Sequence, residues 1–385
     1  MSEYQYYEFL ALDRPLTDDE YEHVRALSTR AEITRTRFVN EYQWGDFRGD
    51  PSALMDLCYD AHLYFANWGT HILMLRLPLS WLDLGTTSEY CNDETFSARR
   101  SGKNLVLEFH SEEESGGDWD EWPSLAALVG VRTELAAGDL RPLYLAWLAG
   151  ASYIDDEHEG GPADDDAVEP PVPAGLAHLT AAQRTLADFL RVDQDLLKAA
   201  AQASEKIVSA TAADRDAAME SWINGLTAKQ KDQTIRHLLS DDHSRTRTEI
   251  LRTLQPRAPR PSTVRRSVSS LLAETTSLAD LRQAEQQREQ ERQAELREQE
   301  AQRQRESRLA MLSDRGERPW AEVADLIAAK KPSSYDAAVR LLTDLAEISR
   351  RRGRTREFAE RLTELRSTHY RKPNLIERLN AADLR

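Results

Sequence analysis

Cysteine is nearly absent from this chain of 385 residues, which holds only Cys58 and Cys91. Two thiols exclude a disulfide scaffold and any zinc site built from four cysteines. Long apolar runs are missing as well, and nothing approaches the ~20 residues that cross a bilayer. The opening MSEYQYYEFL lacks the basic flank of a signal peptide. A cytoplasmic protein with no membrane partner is therefore expected. Catalytic signatures are scarce too. Gly102-Lys103 has neither the upstream glycine nor the following hydroxyl residue of a phosphate-cradling loop. No G-x-S-x-G elbow, H-E-x-x-H pair or dinucleotide fingerprint occurs, and His158-Glu159 has no second helical histidine. No catalytic residue, cofactor or metal is assigned, and the reading leans away from an enzyme.

What the chain has in quantity is charge. Its net charge of −16 divides unevenly. Residues 1–175 carry 34 Asp/Glu against 12 Lys/Arg, and the remainder carries 32 against 38. The front half repels phosphate backbones, whereas the rear half tolerates or weakly attracts them. Residues 154–174, IDDEHEGGPADDDAVEPPVPA, hold eight acids, four prolines and no Lys or Arg. Self-repulsion and proline both oppose a helix there, so the segment reads as an acidic linker. It divides an α+β domain at 1–153 from an all-α half. That half comprises a helical domain at 175–262, a long charged helix at 263–314 and a solenoid-like helical tail at 315–385.

In the front half, YQYYEFLAL at 4–12 predicts an aromatic strand. Thr17 with Glu20 forms a capping box opening a helix to about residue 30, and Ile33–Tyr42 predicts a half-exposed strand. Asp50-Pro51 opens a second helix, expected to run to Gly69. His71–Leu77, stopped by Pro78, and Asn104–His110 predict two more strands. Residues 123–149 read as helical, bent at Gly138-Asp139. This order suggests an antiparallel or mixed sheet with helices on one face. Six of eight tryptophans fall here: Trp44, Trp68, Trp81, Trp119, Trp122 and Trp147. Core is the first expectation for the group, with Trp44, Trp68, Trp119 and Trp122 the candidates for a protein contact.

The rear half shows no strand signal. Its most basic stretch contains Arg245, Arg247, Arg252, Arg257, Arg260, Arg265 and Arg266 against Glu249 alone. Without interleaved aromatics, these residues suit weak contact with nucleic acid or docking on an acidic partner, the first domain included. Between Glu285 and Ser307 the chain is almost entirely Glu, Gln and Arg, with i,i+3 pairs of alternating sign. Each pair contributes only ~0.2–0.5 kcal/mol, but together with high propensity they hold a helix in water. Ala294, Leu296 and Ala301 make no heptad seam, so a single-helix spacer is expected rather than a coiled coil.

Two weak constellations could carry chemistry. Cys58 and His62, four apart on the expected second helix, would share a face and offer sulfur and nitrogen to a metal. His71, His110 and Glu108, with Cys91 and Asp93 in the intervening loop, would approach a thiolate–imidazole–carboxylate site if their strands pair. Glu112, Glu113 and Glu114 cannot all face one cation and read as a solvated loop.

Arg132-Thr133-Glu134-Leu135, Gly138-Asp139-Leu140-Arg141, Leu143-Tyr144-Leu145 and Trp147-Leu148, together with Tyr6-Tyr7-Glu8-Phe9-Leu10 and Asn67-Trp68-Gly69-Thr70, resemble a family of uncharacterised bacterial proteins. Tyr335-Asp336-Ala337-Ala338-Val339, Gly353-Arg354, Phe358 and Arg371-Lys372-Pro373 through Leu379 resemble the helical tail of bacterial proteins, some carrying SWIM zinc fingers. The cysteines of that finger are missing, so the resemblance implies a helical interaction module without zinc. The leading expectation is a non-enzymatic scaffold or adaptor with a protein partner, self-association included. A nucleic-acid-associated accessory subunit, of a conflict or defence system for instance, comes second and a Cys/His hydrolase third.

Overall fold

The structure, a computed structural model, describes residues 4–92, 94–112, 123–151, 167–205, 212–239, 243–254 and 265–384. The α+β front and all-α rear are both present, and the chain divides into two compact units, Met1–Leu281 and Arg282–Arg385.

Seven strands of the first unit form one antiparallel sheet in the order β2-β3-β1-β4-β5-β7-β6. They are β1 (Gln5–Leu10), β2 (Glu32–Ile33), β3 (Arg37–Tyr42), β4 (Ala61–Ala66), β5 (His71–Pro78), β6 (Phe96–Ser101) and β7 (Asn104–Ser111). Successive side chains point to opposite faces, and here both faces are apolar. One carries Tyr7, Phe9, Phe38 and Met74 against α1 (Asp18–Leu27) and α2 (Pro51–Leu57). The other carries Leu63, Leu73, Leu75, Leu77, Leu105, Leu107 and Phe109. It is covered by α4 (Leu125–Leu128), α5 (Gly130–Ala136) and α6 (Arg141–Ala151), which follow the short α3 (Leu84–Ser88). Helices therefore lie on both faces, not on one as the element order suggested.

Local signals explain most starts. Thr17 Oγ1 accepts from the Glu20 N–H at 3.3 Å while Glu20 returns a carboxylate to the Thr17 N–H at 2.8 Å. Asp50 caps the first amides of α2. That helix stops at Leu57 rather than near Gly69, because residues 61–66 form β4. Most of β4 is buried on both sides, and such a run has no period that separates strand from helix. Gly69, at φ +111°, turns the β4–β5 hairpin instead. Gly150 permits a close approach: a Cβ there would stand 2.5 Å from the Asn92 amide and 2.9 Å from the Thr95 hydroxyl.

The acidic stretch does not end this unit. Residues 154–166 lie outside the described residues, but 167–174 are docked. The Val268 N–H donates to the Ala167 carbonyl, and that of Glu169 to the Arg266 carbonyl. Val172 and Leu176 then enter the sheet core. So do α7 (Ala181–Phe189) through Leu186 and Phe189, and α8 (Gln194–Ala203) through Leu196, Ala199 and Ala200. After α9 (Ala212–Gly225), α10 (Ala228–Leu238) and α11 (His243–Leu254) comes α12, a single helix from Val268 to Asp314. Its first turns bury Val268 and Leu271 in the same core. The unit needs these later helices because the β5–β7 face is too apolar to be left to α4–α6 alone.

In the second unit, α13 (Arg318–Ala328), α14 (Pro332–Arg351), α15 (Thr355–Thr368) and α16 (Pro373–Ala381) share a core of Val323, Ile327, Ala338, Leu342, Phe358, Leu362, Leu375 and Leu379. Proline opens α13, α14 and α16, where its missing N–H costs nothing. Residues 291–308 of α12 are exposed on every side, as expected for a charged helix.

Candidate functional site

Neither cysteine constellation assembles. Cys58 follows the end of α2 and His62 lies on β4, so the two do not share a helix. The His62 ring stacks on Phe9 at 3.9 Å and its Nδ1 donates to the Glu8 carbonyl at 2.9 Å. Burial drives its imidazole down to about 3 and the Cys58 thiol up to about 12. A thiol that stays protonated at neutral pH is a poor nucleophile and ligand, and the neutral His62 ring is closed off in the core. β5 and β7 do pair, but His71 stands opposite Ser111 while His110 and Glu108 stand opposite Ile72 and Met74. That register puts His71 on one face and His110 with Glu108 on the other. Cys91 donates to the Thr87 carbonyl. Asp93, Glu113 and Glu114 lie outside the described residues, and Glu112 pairs with His110 at 3.5 Å. Among the described residues no group of three His, Cys, Asp or Glu is arranged to hold a metal ion, and no helix is long and apolar enough to cross a membrane.

The arginine set separates into three. Arg257 and Arg260 lie outside the described residues. Arg265 pairs with Glu89 at 2.9 Å, and Arg266 binds buried Glu169 at 2.6 Å and Glu274 at 2.6 Å. The Tyr144 hydroxyl also donates to Glu169, and burial followed by that carboxylate raises its pKa above the ordinary phenol range. Arg266 is thus a structural ion-pair residue rather than a phosphate contact, because its guanidinium is already saturated by two carboxylates. Arg245, paired with Glu249 at 3.4 Å, and Arg247 and Arg252 are exposed on α11.

The tryptophans also split. Trp81 and Trp147 are buried, whereas Trp44 and Trp68 are 70% and 49% exposed. Core was the wrong expectation for that second pair: each sits on a loop or turn beyond the sheet. Trp119 and Trp122 lie outside the described residues. The Arg30 guanidinium covers the Trp44 ring at 5.3 Å. Trp68 lines a cavity of ≈ 530 Å³ with Gln5, Tyr7, Gly45, Asp46 and Tyr64. A second cavity, ≈ 570 Å³, is lined by Tyr4, Tyr6, Leu63, Phe65, Asn67, Pro123 and Ser124 on the opposite face. Sequence reading missed both, since their walls come from strands and turns brought together by pairing. The adjacent i,i+2 aromatics of β1 were the only available hint.

One further surface stands out. On α10, Ile235 and Leu238 are exposed and Leu239, just past its end, is 84% exposed. The i,i+3,i+4 spacing puts the three on one face, and no residue of α10 is buried. Met219 and Ile223 of α9 are exposed as well. Helices α9, α10 and α11 carry Lys229, Lys231, Arg236, Arg245, Arg247 and Arg252 together with the exposed acids Asp216, Glu220, Asp232 and Glu249. No protein-family model, no characterised protein and no solved structure matches the chain.

Proposed function

We propose that this protein acts as a scaffold or adaptor that binds another protein through the α10–α11 hairpin, in the cytoplasm. The observation carrying this reading is the exposed stripe of Ile235, Leu238 and Leu239 on helices rich in Lys and Arg. Exposed apolar residues clustered inside a charged rim are the composition of a contact surface, not of a solvated helix. The bases favour a partner that carries acidic side chains around an apolar ridge. Two cysteines outside any disulfide accord with a reducing compartment.

The exposed arginines of α11 favour a second reading, contact with nucleic acid through Arg245, Arg247 and Arg252. One experiment separates the two. Tagged full-length protein and an Ile235→Asp/Leu239→Asp variant are used to capture partners from lysate of the source cells, with and without nuclease. A protein retained after nuclease by the wild type and lost by the variant supports the adaptor reading. Equal retention by both proteins overturns it. Loss of every partner on nuclease treatment transfers the function to the arginines.

A further inference from the structure

We infer that the cavity beneath Trp68 is a binding site for an organic cation, an alkylammonium or guanidinium group. Antiparallel pairing sets Tyr7 of β1 directly opposite Tyr64 of β4, with ring centroids 4.8 Å apart. The β4–β5 turn adds Trp68 and the loop after β3 adds Gly45 and Asp46, lining an open cleft of ≈ 530 Å³. Three aromatic rings and one carboxylate are the components by which proteins hold such cations.

The hydrogen bonding inside the cavity points the same way. Gln5 Oε1 accepts from the Tyr7 hydroxyl at 2.9 Å and from that of Tyr64 at 3.1 Å. Gln5 Nε2 donates to the Gly45 carbonyl at 3.0 Å. Tyr7 also lies within reach of Asp46 Oδ1, at 3.1 Å, and that oxygen accepts the Phe47 N–H at 2.7 Å. Both phenolic protons are therefore committed to Gln5 and Asp46. What the phenols and the carboxylate have left to offer an incoming group is lone pairs, and half-buried Tyr64 and half-exposed Trp68 add ring surface beside the buried Tyr7. Burial raises the Tyr7 hydroxyl's pKa, with Tyr64 and Asp46 adding to it, and Tyr64 is raised by burial and Asp46 likewise. The phenols stay neutral and Asp46 is the one formal charge among the six lining residues.

A neighbouring contact shows the same chemistry satisfied from within. The Arg30 guanidinium lies over Trp44, one residue before Gly45. Trp68 has no such cation over its ring among the described residues and is half exposed. An anionic ligand would meet Asp46, and a purely apolar one would leave its charge without a counter-ion and the phenol lone pairs without a donor. A cation satisfies both.

The test is calorimetric titration of the full-length protein with choline, with capped trimethyllysine amide, and with dimethylbutanol, the uncharged isostere of choline. At least one cation is expected to bind saturably and about tenfold or more tighter than the isostere. Asp46→Asn and Trp68→Ala, both at exposed positions, are each expected to weaken it about fivefold or more with unchanged thermal unfolding. Tighter choline binding assigns the site to a free small molecule; tighter trimethyllysine binding assigns it to a side chain on a partner. Equal binding of the isostere, absence of saturable binding by either cation, or undiminished binding by both variants overturns the inference. The site shares no residue with the α10–α11 hairpin, so its failure leaves the adaptor reading standing.

Discussion

His62 is one histidine whose placement controls how the fold responds to acid. Buried against Phe9 and bonded through Nδ1 to Glu8, it has a folded pKa of about 3 against 6.5 in the unfolded chain. Between those values the unfolded state binds a proton that the folded state refuses, so stability falls as pH drops from 6.5 towards 3. The slope attributable to His62 approaches about 1.4 kcal/mol per pH unit. Urea unfolding at pH 6.5 and pH 5 should show this loss, and His62→Gln should flatten it. Glu20, held at about 2 chiefly by its bond to Arg14, adds its own loss only below pH 4.5; His369, also lowered by burial, shares the upper window, so the difference from His62→Gln is what assigns the slope. Cys58 offers a second test at this scale. With its thiol pushed up to about 12 by burial, it should resist alkylation at pH 8 in the native protein and react once urea unfolds the chain. Peptide mass mapping of the labelled sites reads the result, and rapid native labelling would contradict the burial.

Among the elements, the short segment before α12 shows how similar residues take different duties. Arg266 neutralises Glu169, which is only 1% exposed, and through it holds Tyr144 of α6. Arg266→Ala would leave that carboxylate buried without its cation, a loss of ~3–5 kcal/mol. Arg252→Ala on the exposed face of α11 should stay within ~0.5 kcal/mol. Chemical denaturation of the two variants beside the wild type checks the contrast. Equal effects would mean that Arg266 is no more structural than its neighbours. The central part of α12 is the opposite case: its residues touch solvent on all sides, and its helicity rests on propensity and i,i+3 or i,i+4 pairs such as Gln293 with Glu289 at 3.1 Å.

At the scale of the whole molecule, the first unit reaches to residue 281, far past the acidic stretch. Leu186, Phe189, Leu196, Ala199, Val268 and Leu271 all pack in the core that covers β5 and β7. A chain ending at residue 174 would expose that face. It should aggregate or unfold without a cooperative transition, whereas residues 1–281 should melt cooperatively. Calorimetry of the two fragments decides the matter, and a cooperative transition in the shorter one would restore the acidic stretch as a boundary.

How much of this was legible in the sequence follows from the range of the forces involved. The capping box at Thr17, the Asp50-Pro51 start, the strands at β1, β5 and β7, the polar helix and the helices of the tail depend on neighbours within a few residues. β4 and β6 were not legible. The first is apolar on both faces and so carries no period, and the second, FSARRS, is a polar edge strand held by its pairing with β7. The His71, His110 and Glu108 set failed on register, where a shift of one position between β5 and β7 separates facing residues from opposed ones, and Cys58 with His62 failed because α2 ends at Leu57. Charge asymmetry, scarcity of cysteine and the helical rear were written in the sequence by itself. The tertiary structure decided which carboxylate Arg266 meets, that Trp44 and Trp68 stay outside the core, and that Tyr7, Tyr64 and Asp46 line one cavity. These are contacts between residues 18 to 97 positions apart, and no local preference encodes a distance of that kind.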